Sequence, residues 1–123
     1  MAIHRLLASQ PFLPVFLVSN GIVIEAIGLI DTGASMSAVH PNTIERMRVT
    51  QIGQELVSRV GAPSCWLPTY CFTLSLGATS QEFVVEAVAS APASPCEVLI
   101  GRDLLSRWIL SWDGRGDQLL ISY

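Results

Sequence analysis

The chain has 123 residues, of which 50% are hydrophobic and 14% charged, so it is long enough for one domain with a core and is too apolar for a disordered chain. Its formal net charge is −3 and its seven basic residues, all arginines, are scattered, which disfavours nucleic-acid binding, while the absence of lysine excludes Schiff-base and P-loop chemistry. Because so few charges must cover the surface of so small a body, we expect a second chain to bury part of that surface.

The first predicted elements are two strands joined by a tight turn. Strand-forming residues run from Phe12 to Ser19 and from Ile22 to Ile30, and the Asn20-Gly21 pair between them is the strongest short hairpin signal. The second strand ends in the loop sequence Asp31-Thr32-Gly33-Ala34-Ser35, so a carboxylate lies where a buried strand becomes a turn. Pro41 to Met47 then predicts one short helix, because proline suits the first helical turn.

The middle of the chain predicts a hairpin arm. Its two strands, Glu55 to Val60 and Trp66 to Leu76, are separated by Gly61-Ala62-Pro63, which is a turn signal. A further strand from Glu82 to Ala89 follows the next turn.

The last third predicts a buried strand, a helix and a closing hairpin. Val98-Leu99-Ile100 is a short apolar run that Gly101 ends, and Arg102 to Trp108 fits about two helical turns. The closing hairpin pairs Ile109 to Trp112 with Gln118 to Ser122. Together the elements predict an all-β fold over 1–123, a small closed or barrel-like body with one or two short helices.

The cysteines and the apolar segments exclude several other classes. The cysteines are odd in number, form no C-x-x-C pair and could be joined by only two histidines, so we expect free thiols, no metal site and a cytoplasmic location. No cofactor is expected. The apolar stretch over 11–30 is broken by Asn20-Gly21 and by Glu25, so it predicts neither a membrane span nor a signal peptide.

Asp31 differs from the other acidic residues because its neighbours indicate burial. The apolar residues 27–30 precede it, and small residues follow it that leave room for a ligand's backbone. A buried carboxylate needs a partner, and a second carboxylate can be that partner when the two share one proton. One carboxylate then acts as general base on a water while the other donates a proton to a peptide carbonyl. Since the chain offers one Asp-Thr-Gly, the twin must come from a second copy across a two-fold axis.

Two motifs in this order resemble those of the retropepsins, the retroviral-type aspartic proteases with their bacterial and retroelement single-domain members. The first motif is Leu29-Ile30-Asp31-Thr32-Gly33-Ala34-Ser35, and the second, Val98-Leu99-Ile100-Gly101-Arg102-Asp103-Leu104-Leu105, follows about 70 residues later. The order of strand, Asn-Gly turn, strand, motif, hairpin and second motif is also similar, so that the resemblance covers roughly residues 10–123.

The resemblance assigns roles to residues of both motifs. Asp31 is expected to be the catalytic carboxylate, Thr32 to bond across the dimer, and Gly33 to let the substrate approach. Leu99, Ile100, Gly101 and Arg102 form the structural second motif beneath the first, with Arg102 as a brace. The hairpin over about 54–70 is expected to be the flap that closes on the substrate. Substrate contacts are expected from Ala34, Ser35, Val60, Gly61 and Ala62.

Three features depart from that pattern. Ser35 stands where the family often has a carboxylate that Arg102 contacts, so the brace needs another acceptor, either Asp103 or backbone carbonyls. The flap has a single glycine near its tip. The chain also continues about 20 residues beyond the second motif through a whole hairpin, so Gln118 to Tyr123 forms the dimer sheet or the interface is rearranged.

The resemblance implies an aspartic endopeptidase that cleaves peptide or protein substrates as a homodimer, without metal, cofactor, nucleic acid or membrane. The alternative is a non-catalytic peptide-binding or dimerisation module that kept the fold. The altered flap and the serine at position 35 favour this alternative.

Overall fold

The computed structural model describes residues 2–5, 12–59, 61–77, 81–92, 95–116 and 118–123. Ten strands and two short helices follow one another in these ranges, and the chain is mostly β, as predicted. Their bounds, in chain order, are β1 (Ala2–Arg5), β2 (Phe12–Ser19), β3 (Ile22–Ile30), β4 (Ala38–Val39), α1 (Pro41–Met47), β5 (Gln51–Arg59), β6 (Ala62–Ser75), β7 (Glu82–Ala89), β8 (Val98–Ile100), α2 (Arg102–Leu105), β9 (Ile109–Asp113) and β10 (Gln118–Ser122).

The β2–β3 hairpin has the bounds that the sequence predicts. Its two turn residues, Asn20 and Gly21, have φ angles of 51° and 75°, which is the left-handed pair that a two-residue hairpin turn requires. Side chains along β2 alternate strictly, so that Leu13, Val15 and Leu17 are fully buried while their neighbours are half-buried.

The main sheet closes on itself. Its strand order is β2-β3-β8-β4-β7-β6-β5, and β2 also pairs with β6, which joins six strands into a small barrel and leaves β5 outside the ring. The short strand β8 lies between β3, to which it is parallel, and β4, to which it is antiparallel. The predicted closed β body is therefore confirmed. Within it, β8 brings the second motif directly beside the end of β3.

A second sheet of three strands has the order β1-β10-β9. The β9–β10 hairpin was predicted, whereas β1, which pairs with β10 along Ala2–Arg5, was not. Strand β1 is only four residues long, and its pairing partner lies more than 110 residues later, so no local pattern marks it.

Three predicted boundaries were wrong, two in the arm and one in the second helix. The arm strands are longer than expected, because β5 begins at Gln51 and β6 begins directly after Gly61, at Ala62. The second helix is shorter, since α2 ends at Leu105. After it the N–H groups of Arg107 and Trp108 donate to carbonyls only three residues earlier, and the Trp108 ring packs edge-on against Phe83 with centroids 5.4 Å apart. This contact joins the segment after α2 to β7.

Candidate active site

Asp31 follows the last residue of β3 and is held by backbone bonds on both sides. Its N–H donates to the carbonyl of Ile100 at 3.0 Å, which extends the parallel pairing of β3 and β8 by one residue. Its Oδ1 accepts the N–H of Gly33 at 2.9 Å, and its carbonyl accepts the N–H of Ala34 at 3.3 Å. The half-buried carboxylate is thus fixed in a tight turn of small residues.

Arg102 ties the second motif to this turn through two hydrogen bonds. Its Nη1 donates to the carbonyl of Thr32 at 2.9 Å, and its backbone N–H donates to the carbonyl of Ala34 at 2.8 Å. Of the two kinds of acceptor expected in place of the missing carboxylate, the guanidinium uses a backbone carbonyl. The Asp103 carboxylate bonds elsewhere.

The partner of Asp103 is Ser37, a residue that sequence reasoning missed. The Ser37 hydroxyl donates to Asp103 Oδ1 at 2.8 Å and accepts the N–H of Gly101 at 3.1 Å. Ser37 is only 2% exposed. The one signal in the sequence was a lone serine between Met36 and the apolar pair that forms β4.

Gly101 lies very close to the backbone that directly follows the first motif. A Cβ atom there would lie 2.6 Å from the carbonyl carbon of Met36, 2.7 Å from its oxygen and 3.0 Å from the nitrogen of Ser37. Since Cβ atoms do not approach backbone so closely, this position requires glycine.

A cleft of about 410 Å³ opens beside the turn, between it and the arm. Its wall comes from the turn and β4, from the arm strand β5, and from residues at the ends of β7 and in β8. The wall residues among those that the structure describes are all uncharged: Gly33, Ala34, Ser35, Met36, Ala38, Leu56, Val57, Ser58, Val88, Ser90 and Leu99. Its described wall is therefore mainly apolar, with Ser35, Ser58 and Ser90 as the polar residues.

A comparison with protein-family models gives no match, and a comparison with curated proteins gives none either. Solved structures do match. A retropepsin-like aspartic protease from Rickettsia conorii is 18% identical with a TM-score of 0.65, over 99% of this chain and 89% of that one. The retroviral protease-like domain of Ddi1 from Leishmania major is 19% identical with a TM-score of 0.56, over 90% of this chain and 88% of that one.

The chain has a retropepsin-like fold. It also matches a foamy viral protease-reverse transcriptase at 15% identity and a TM-score of 0.57, over 81% of this chain but only 12% of that one. This chain thus spans a small part of that longer relative. At these identities the likeness establishes the fold, and it agrees with the family that the two motifs indicate.

Within this retropepsin-like fold, only some of the residues predicted to bind substrate meet at the cleft. Ala34 and Ser35 form part of its wall, together with Gly33 and with Leu99, which was expected to be structural only. The arm contributes Leu56 to Ser58, near the end of β5, which were not among the residues predicted to bind substrate.

The predicted flap tip lies apart from the cleft wall. Gly61, with a φ of 75°, and Ala62 are exposed and do not line the cleft, and Val60 lies outside the described residues. The periodic strand pattern marked where the arm turns. It could not show how far along the arm the cleft lies.

Over the ranges that the structure describes, no group of three or more His, Cys, Asp and Glu side chains comes together as a metal site. No helix in the same ranges is long and apolar enough to cross a membrane.

Proposed function

We propose that this retropepsin-like chain is an aspartic endopeptidase that works as a symmetric homodimer, with one Asp31 from each copy in a shared site. The observation that carries the proposal is the fixed Asp31 turn, whose carboxylate accepts the Gly33 N–H at 2.9 Å beside an uncharged cleft. One carboxylate of this kind is half of a general acid–base pair.

Each Asp31 of the pair has its own part in the chemistry. Two carboxylates within hydrogen-bonding reach share one proton, so one is a base and the other an acid. The base takes a proton from a water, which attacks the scissile carbonyl, while the acid protonates the carbonyl oxygen. The tetrahedral intermediate then collapses with proton transfer to the leaving amine.

Substrate is proposed to bind extended between the Asp31 turn and β5. The turn supplies Gly33, Ala34 and Ser35, which are small enough for a peptide backbone to approach. Strand β5 ends the order of the main sheet and carries Leu56 and Val57 into the cleft wall, so an extended chain can add along this edge. The uncharged wall favours apolar side chains.

A second copy is supported by apolar surface at one end of the molecule. Strand β9 ends the order of the three-stranded sheet and exposes 74% of Ile109 and 52% of Trp112. Exposed edge strands with large apolar side chains are typical of surfaces that pair with another chain. This agrees with the low charge content of the sequence.

The test of catalysis is Asp31→Asn, assayed by digestion of a peptide library with and without a pepstatin-type inhibitor. Glu45→Gln is the matched control, because it makes the same change from carboxylate to amide at an exposed residue of α1 that does not line the cleft. We expect cleavage by wild type and by the control, and none by Asp31→Asn. Equal cleavage by Asp31→Asn and wild type would refute the proposal.

The test of the shared site is a mixing experiment. If the active unit is a dimer with one Asp31 per copy, random exchange between equal amounts of wild type and Asp31→Asn leaves roughly one quarter of the dimers as wild type. Specific activity per wild-type chain then falls to about half its value. Activity that depends only on the amount of wild-type chain would show that each copy works alone.

The second candidate is a module that binds peptides without cutting them. It is favoured by the position of the arm, whose tip residues Gly61 and Ala62 do not line the cleft. Such a module would retain library peptides without producing fragments, and Asp31→Asn would leave that retention unchanged.

A further inference from the structure

Ser37 and Asp103 form a part-buried polar pair that the proposed chemistry does not use. Their side chains are joined at 2.8 Å although the residues are 66 positions apart, and Ser37 is 2% exposed while Asp103 is half-buried. Buried polar groups are costly unless they are bonded, so a pair in this place has a structural or functional reason.

The direction of the bonds orients Ser37. A carboxylate only accepts hydrogen bonds, so the single hydroxyl proton of Ser37 points to Asp103. A lone pair of the same oxygen is then left facing Gly101, whose N–H donates to it at 3.1 Å. Asp103 therefore sets the orientation in which Ser37 holds the backbone at Gly101.

Gly101 lies between the two residues that hold the Asp31 turn. Ile100 accepts the N–H of Asp31 at 3.0 Å, and Arg102 donates to the carbonyls of Ala34 and Thr32 at 2.8 and 2.9 Å. A shift of the backbone at Gly101 moves the partners on both sides of it. The Ser37 hydroxyl, which accepts the Gly101 N–H, holds the backbone in place at Gly101.

We propose that Ser37 and Asp103 are positioning residues that set the place of the Asp31 carboxylate relative to its twin. The expected effect on kcat rests on the proposed function, whereas the fixing of the Gly101 backbone by Ser37 and Asp103 does not. Because misplacing a reacting group by about 1 Å costs roughly 100-fold in rate, loosening this point is expected to lower kcat and leave KM unchanged.

The experiment compares Ser37→Ala and Asp103→Leu, which break the pair, with Asp103→Asn, whose amide oxygen still accepts the Ser37 hydroxyl. We expect kcat to fall roughly 10- to 100-fold in the two disruptive variants, at unchanged KM, and to stay within about threefold of wild type in Asp103→Asn. The double variant Ser37→Ala/Asp103→Leu is expected to be no worse than the poorer single variant, since the two residues act as one unit.

Amide hydrogen exchange at Gly101 is the readout that does not depend on turnover. Exchange is expected to be at least about tenfold faster in Ser37→Ala and Asp103→Leu than in wild type, and unchanged in Asp103→Asn. Unchanged exchange in Ser37→Ala, an unchanged kcat, or an equal loss in Asp103→Asn each overturns the inference. Should a disruptive variant not fold, Asp103→Asn still decides, because loss of kcat in a folded variant that keeps the bond contradicts the inference. Full activity of Asp31→Asn instead overturns the proposed function, and the exchange data then stand by themselves.

Discussion

Replacing Gly101 by alanine tests whether the contact between the two motifs holds the site together. The added Cβ would lie 2.6 and 2.7 Å from the carbonyl carbon and oxygen of Met36, and all of these atoms belong to backbone, so no side chain can rotate away. The two segments must therefore separate. The bonds at stake are Gly101 N–H to Ser37 Oγ at 3.1 Å and Arg102 N–H to the Ala34 carbonyl at 2.8 Å.

The expected loss of stability follows from these contacts. Overpacking costs about 1–3 kcal/mol, and two weakened hydrogen bonds add about 0.5–1 kcal/mol each, so the free energy of unfolding is expected to fall by roughly 2–5 kcal/mol. An unfolding entropy of about 2.1 cal/mol/K per residue over 123 residues converts 1 kcal/mol into about 4 °C. We expect Tm to fall by roughly 8–20 °C.

The assay is thermal unfolding followed by circular dichroism, with Gly114→Ala as the matched control. A Cβ at Gly114 would meet only the five-membered ring of the exposed Trp112 side chain, at 3.2 Å from Nε1, and no backbone, so Tm is expected to stay within about 2 °C of wild type. If Gly101→Ala has the same Tm as the control, the close approach between Gly101 and Met36 does not contribute to stability. That result would refute the argument that this contact holds the site together.

Two further predictions concern other parts of the chain. Gly21→Ala is expected to lower the free energy of unfolding by about 1 kcal/mol, measured in urea, because Gly21 has a φ of 75°. Nothing lies within 4 Å of the added Cβ, so this cost comes from the backbone conformation alone. An unchanged urea midpoint would contradict it. Burial raises the pKa of the Cys96 thiol, so alkylation of the folded chain at pH 8 should reach the exposed Cys65 and Cys71 first, as read by mass spectrometry, and early labelling of Cys96 would contradict this. The folded state keeps the Cys96 proton where the unfolded chain loses it, so stability should fall as pH rises above the usual thiol pKa of about 8.5, and less so in Cys96→Ala.

Local patterns were enough to predict the elements that are stabilised locally. The Asn20-Gly21 turn needs two left-handed residues in a row, and few sequences provide them, so both strands of that hairpin were placed correctly. The helix Pro41–Met47 was also predicted, because Pro41 suits its first turn and Ile44 and Met47 lie three positions apart on one face. Each of these elements follows from residues within a few positions of one another.

Longer-range contacts decided the elements that were predicted wrongly. Helix α2 ends early because Trp108 packs on Phe83, 25 positions before it in the chain, and Arg107 donates to the carbonyl of Val84. The arm begins at Gln51 and continues to Ser75 because β6 pairs on both sides, with β5 and with β7. A propensity pattern over a few residues contains none of these partners.

The candidate site shows the same division between local and distant information. Asp31 could be recognised because the apolar strand before it and the small residues after it are adjacent in sequence. Ser37 could not, because its two partners lie 64 and 66 positions later and meet it only after β8 inserts between β3 and β4. The second motif had been expected to support the first through Arg102. In the folded chain the support is shared among consecutive residues from Ile100 to Asp103, each bonded to the segment 31–37. Loss of the Arg102 side chain therefore leaves most of the hydrogen bonds between residues 100–103 and 31–37 intact. A change at Gly101, which lies within residues 100–103, disturbs the bonds on both sides of it.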